Sequence, residues 1–274
     1  METLSLFPET SGPQGPLVRV ALLIAYHGGR FRGLAPNAGV RTVVGEIADT
    51  LRPFLGYHPD IVMSGRTDAG VHAWGQVLSL DVPEAKADPE RITRVINVGL
   101  QPEVVCRDAR LVSDDFSARF SATGRSYRFY VLNTEHPSPF HADTMWWVPE
   151  PLNVASMRLA CDPIIGEHDF ASFCRRPKSD DGTEVSLVRR VTRAHWTDLG
   201  DGVLRFEIDG SAFCHQMVRS IVGFHVAVGK GRRSAGELLG VLAARDRNAA
   251  VSPAPPHGLT LWSVVYPDDP FARS

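Results

Sequence analysis

The chain has 274 residues, a formal net charge of -2, 43% hydrophobic and 22% charged residues, the figures of a globular protein able to bury a substantial core. Nowhere do about 18 apolar residues run together, which excludes a membrane-spanning helix, and the near-neutral charge gives no global sign of a polyanionic partner. The opening METLSLFPETSGPQGP lacks the basic start, apolar core and small-residue cleavage site of a secretory signal. Cys106, Cys161, Cys174 and Cys214 are far apart with no CxxC pair, so neither a zinc knuckle nor a disulfide framework is expected, and a cytoplasmic location follows.

After a Pro/Gly-rich tail over 1–16, LVRVALLIAY (17–26) predicts a strand, TVVGEIADTLRPFL (42–55) a helix and DIVMSG (60–65) a strand. HAWGQVLSLDV (72–82) predicts a strand, PERITRVINVGL (89–100) a helix and EVVCRDARLV (103–112) a strand. The order β-α-β-β-α-β is that of the split βαβ, ferredoxin-like arrangement. Further on, 125–133 predicts a strand, 152–165 a helix, 187–199 and 202–210 a hairpin about Gly200-Asp201-Gly202, 214–231 and 234–246 helices, and 259–266 a closing strand. The expected architecture is therefore α/β (α+β): two halves, 17–113 and 114–267, with antiparallel sheets and a cleft between them, and a short tail over 268–274.

Three stretches gather basic residues with aromatics or loop residues: 107–130, 175–193 and 229–234. That mixture suits phosphate neutralisation and base stacking, and three such patches in one neutral chain point modestly toward RNA. The segment SGRTDAGVHAWGQV (64–77) places Asp68 in a turn. If the strand runs that far, Arg66 lies on the same face and would keep the carboxylate ionised, fit to act as nucleophile, base or ligand; a carboxylate bonding its own turn is the simpler reading of the spacing. No HxxxH, HExxH, acidic cluster or phosphate loop accompanies it, so chemistry without metal or organic cofactor is expected.

GRTDAGVHA (65–73) resembles the catalytic signature of the tRNA pseudouridine synthase A family, and the likeness extends through DDFSARFSATGRSYRFYV (114–131), GEHDFASF (166–173), SAFCHQMVRSIVG (211–223) and GLTLWSVVY (258–266). The resemblance implies a pseudouridine synthase fold of two ferredoxin-like halves, a cofactor-free homodimer, and isomerisation of uridine to pseudouridine in the tRNA anticodon stem-loop, at tRNA positions 38–40. It makes Asp68 the catalytic aspartate, Tyr127 the active-site tyrosine beside the base, Arg66 the motif arginine, Arg219 the arginine of MVR and Leu259 an apolar pocket residue. Phe213, His215, Phe170 and Ser172 are expected to shape the substrate pocket. The loop YHGGRFRGLAPNAGVRTVVGEI (26–47) departs from the family pattern, with Leu34 where a tryptophan is usual and Ala35 and Val44 where glutamines are. If that loop touches RNA, a stacking group is lost, and the competing reading is a catalytically weak RNA binder or a synthase with an altered RNA substrate.

Overall fold

A computed structural model describes residues 12–176 and 185–272. They fall into two compact units, one holding the described residues of Met1–Ala69, Ala73–Ala122 and Tyr266–Ser274, the other Gly70–His72 and Thr123–Val265.

In the first unit the elements are β1 (Leu17–Tyr26), α1 (Val43–Leu55), β2 (Val62–Met63), β3 (His72–Pro83), α2 (Pro89–Leu100) and β4 (Val104–Val112). The helices begin where the sequence says they should. Thr42 accepts from Gly45 N at the head of α1, and Asp88 accepts from Arg91 N at the head of α2, with Pro89 in the first turn where its missing N–H costs nothing. β1 pairs antiparallel with both β3 and β4, and β2 with β3, giving the order β4-β1-β3-β2. Apolar faces of α1 and α2 pack against one another and α2 lies along β4.

The second unit runs β5 (Gly124–Leu132), β6 (Trp146–Trp147), α3 (Val154–Leu159), β7 (Gly166–Asp169), β8 (Val188–Asp198), β9 (Val203–Gly210), α4 (Met217–Gly229), α5 (Glu237–Ala244) and β10 (Leu259–Val265). β5 is flanked by β10 and β9, β9 by β8, and β8 by β7, all antiparallel. The order β10-β5-β9-β8 repeats that of the first unit, with each first strand lying between its last and third. The ferredoxin-like expectation thus holds in both units. The β8–β9 turn uses positive φ at Gly200, Asp201 and Gly202, the conformation that twists two strands into a hairpin.

Four details differ from the sequence reading. The helix expected over 152–165 stops at Leu159, because Pro163 cannot continue an α-helix and disfavours it at Asp162; a 3-10 turn over Asp162–Ile164 follows instead. The helix expected from 214 starts at Met217, since Gln216 is left-handed at φ 66°. The short strands β6 and β7 went unpredicted, β7 because GEHD carries none of the apolar alternation of a half-buried strand. Finally, Cys174 and Cys214 are joined as a disulfide, their Cα atoms 5.7 Å apart. Forty residues of sequence separate them, but the fold brings the loop after β7 beside the start of α4, where Arg175 N donates to His215 O at 2.9 Å.

α4 is buried around most of its circumference, which explains its continuous apolar run. It meets the segment before β10 at Gly223, where any Cβ would collide with the Ser252 carbonyl oxygen. Its Phe224 belongs to a core that also holds Phe129, Trp196, Phe206, Phe170 and Phe173. A polar side-chain pair lies in this core: Trp196 Nε1 donates to His225 Nδ1 at 3.0 Å. Burial pushes the His225 pKa down from 6.5 to about 3. The unfolded chain therefore binds a proton that the folded chain refuses, and stability is lost as pH falls from 6.5 toward 3. The unfolding free energy obtained from urea denaturation across this window should fall with a slope of up to about 1.4 kcal/mol per pH unit from this residue, and His225→Asn should flatten that slope.

Candidate active site

The segment carrying Asp68 is fixed from both ends. Upstream, β2 pairs Val62 with Ser79 and Met63 with Leu78, and Ser64 N donates to Val77 O at 3.0 Å. The fully buried Gln76 then organises the exit from the strand. Its Oε1 accepts from Ser64 Oγ at 2.5 Å and from Val77 N at 3.1 Å, while its Nε2 donates to Gly65 O at 3.0 Å. Thr67 is buried; its hydroxyl shares a 2.7 Å hydrogen bond with Tyr26 OH, and its carbonyl accepts from Leu34 N at 3.3 Å.

Downstream, Gly70 adopts φ 81°, a conformation that favours glycine, and a Cβ there would approach Pro256 Cγ to 3.0 Å, a tight contact. Val71 enters the core of the second unit. His72, buried, donates from Nε2 to His257 O at 2.9 Å, which fixes its tautomer, and His257 Nε2 in turn donates to Met145 O at 3.1 Å. Asp68 stands half-buried between these two anchored stretches, so its backbone has little room to wander.

Arg66 does not partner Asp68. Residues 66–69 belong to no strand, so the two-residue alternation of a strand is not established there, and the exposed Arg66 side chain has no hydrogen bond or ion pair among the described residues. The departure at Leu34 also reads differently in three dimensions. Leu34 is fully buried, its carbonyl accepts from Val44 N at 3.0 Å, and Val44 is buried in α1. A side chain at this place fills the core, so the change from the family's tryptophan removes no exposed stacking group.

In the second unit, Tyr127 is half-buried on β5, opposite Leu261 of β10 and Ile208 of β9. The Phe213 ring stands edge-on to it, centroids 5.2 Å apart. Leu259, buried, begins β10 opposite Phe129. Arg219, in the first turn of α4, is half-buried and donates from Nε to Ala254 O at 2.7 Å, while its own carbonyl accepts from Ala254 N at 2.9 Å. This double bond to the segment before β10 answers how a guanidinium is accommodated in an apolar helix. Phe170 and Ser172 lie deeper. Both are fully buried, and the Ser172 hydroxyl donates to Val241 O at 2.6 Å. His215 is exposed on the corner preceding α4 and not on the helix itself. Among the described residues no group of three or more His, Cys, Asp or Glu side chains could hold a metal ion, and no helix is long and apolar enough to cross a membrane.

Sequence reasoning missed Gln76, His257 and Pro256, which position the turn without belonging to it. A glutamine inside the apolar run of β3 was the one available signal, because a fully buried amide must have hydrogen-bond partners.

The model of a family described as tRNA pseudouridine synthase matches residues 26–121 and 160–267. The chain belongs to this family, a class of isomerases that convert uridine to pseudouridine. Among its relatives, tRNA pseudouridine synthase A of Bacillus subtilis (strain 168) is 39% identical, the match covering 91% of this chain and 99% of the relative. The protein of the same name from Geobacillus kaustophilus is 37% identical over 93% of this chain and 97% of the relative, and that of Streptomyces griseus subsp. griseus 38% over 92% and 89%.

Gln76→Leu removes the amide that bonds the Gly65 carbonyl and the Ser64 hydroxyl. It is expected to lower unfolding free energy by roughly 2–3 kcal/mol, measured by urea denaturation, and to reduce turnover further at temperatures where the fold persists.

Proposed function

We propose that this chain isomerises uridine to pseudouridine in the anticodon stem-loop of tRNA, at positions 38–40, with Asp68 as the catalytic carboxylate. The observation that carries the reading is the anchoring of the Asp68 segment by Gln76 and Thr67 on one side and by Gly70 and His72 on the other. A surface aspartate that merely closes a turn needs no such apparatus; a carboxylate that must meet one atom of a substrate does.

The reaction breaks the C1′–N1 bond, turns the uracil and joins C1′ to C5, with the C5 proton leaving to solvent and N1 taking up a proton, so no atom is gained or lost overall. Asp68 in its ionised form serves by adding to C1′ or C6 or by taking a sugar proton. The detached base must be held while water is kept from C1′, a task suited to the apolar groups Tyr127, Phe213 and Leu259. Tyr127 is the residue that meets the base, Phe170 and Ser172 support that wall from the core, and Arg219 supplies positive charge held rigidly by Ala254. Arg66 and His215, both exposed, meet RNA in this reading. Activity as a homodimer in the cytoplasm belongs to the same reading and is supported by the family alone.

The test uses unmodified tRNA carrying tritium at uracil C5. The protein should release tritium, and Asp68→Ala should slow release by about a hundredfold or more while still binding the RNA. Equal release by both proteins would remove Asp68 from the chemistry, and absence of release from the unaltered protein would remove tRNA uridine as substrate.

A further inference from the structure

A tryptophan is out of place on β3. Among the described residues of that strand only Trp74 is exposed, at 46%, and it stands two residues beyond the anchored His72. A bulge puts it there. Tyr26 of β1 pairs with Ala73 and Ile24 with Gln76, so β3 takes three steps where β1 takes two, and the extra residue falls at Trp74–Gly75. On the other side of β1, Leu23 pairs with Asp108 and Ile24 with Cys106, which leaves Arg107 as the extra residue of β4. Bulges bend a strand and re-aim a side chain.

The two re-aimed side chains meet. The Arg107 guanidinium carbon lies 4.0 Å from the centre of the Trp74 ring, and its Nη1 donates to the Trp74 carbonyl oxygen at 2.8 Å. Arg107 thus holds Trp74 by ring and by main chain, and an exposed indole is fixed before any ligand arrives. Other stacks of arginine on an aromatic ring differ. Phe31, under Arg41, is buried; Arg128, over Trp262, is held by Glu207; Arg119 and Phe120 are neighbours in a turn.

An exposed, rigid aromatic ring with a cation beside it is what binders of single-stranded nucleic acid use, because every base has a π-face to lay on it. The positive charge of Arg107 favours a polyanion over an apolar protein surface. Trp74 also follows Asp68 by six residues, at most about 20 Å of chain. We propose that Trp74 and Arg107 form a stacking platform that seats one unpaired base of the RNA on the strand leaving the Asp68 turn. The inference rests on the reading of tRNA as substrate. It adds a contact that grips the face of a base and leaves its edge unread, so it fixes the strand without choosing the sequence.

Binding of unmodified tRNA is measured across a salt series for the unaltered protein and for Trp74→Ala, Trp74→Phe and Arg107→Gln, with melting temperature and sedimentation recorded for each. Trp74→Ala should weaken binding about fivefold or more and Arg107→Gln about threefold or more, while Trp74→Phe, which keeps a π-face, should stay within about twofold. The slope of log Kd against log salt should be the same for Trp74→Ala as for the unaltered protein, since stacking releases no counterions. Tryptophan fluorescence should be quenched by tRNA in the unaltered protein and measurably less so in Trp74→Phe. Unchanged affinity of Trp74→Ala would overturn the proposal, and a shift in its sedimentation would then assign the ring to a contact between copies of the chain. Equal weakening by Trp74→Ala and Trp74→Phe, with a lowered melting temperature in both, would also overturn it, as would quenching undiminished in Trp74→Phe. Tritium release from uracil C5 separates the two readings: release with unchanged affinity of Trp74→Ala removes the platform alone, whereas binding without release counts against the enzyme and leaves the platform to its own variants.

Discussion

Everything at the candidate site depends on the fixing of one stretch of main chain, residues 64–72, by groups that lie outside it. A carboxylate in a loop is ordinarily a mobile group on a mobile backbone. Here Gln76 satisfies the strand exit, Tyr26 holds the Thr67 hydroxyl, and Gly70 and His72 join the next few residues to Pro256 and His257. Each link is modest, about 1 kcal/mol for a neutral hydrogen bond, but they act on neighbouring residues and so restrict the same few dihedrals. The entropy of ordering the loop is met during folding, before any substrate arrives.

Much of this was legible in the sequence because it is local. Helix α2 begins at its Asp-Pro pair, β1 covers the residues its alternation predicts, and Gly200-Asp201-Gly202 makes the expected hairpin turn. The repeated strand order of the two units also follows from element order, which limits an antiparallel sheet to few arrangements. The motif around Asp68 was visible as a motif, and its physical setting was not. Gln76 and His257 act across sequence separations of 11 and 185 residues, and no local pattern marks such pairs. The proximity of Cys174 and Cys214 escaped for the same reason.

Two residues show how exposure changes a sequence reading. Leu34 stood out as a lost aromatic, yet its complete burial makes it a question of core volume. Arg66 stood out as the neighbour of Asp68, yet the segment lies outside any strand and the Arg66 side chain is exposed.

The contact of α4 with the residues before β10 has a mechanical corollary. At Gly223 helix and segment touch backbone to backbone, and a turn earlier Arg219 and Ala254 exchange hydrogen bonds in both directions. With no flexible side chain between them to absorb displacement, the helix and the segment leading to Leu259 behave as one rigid lever. In the proposed reading, a base pressing on Leu259 would move the Arg219 guanidinium by the same stroke, so that occupancy of the pocket and placement of positive charge would be coupled by stiffness, without any separate conformational signal.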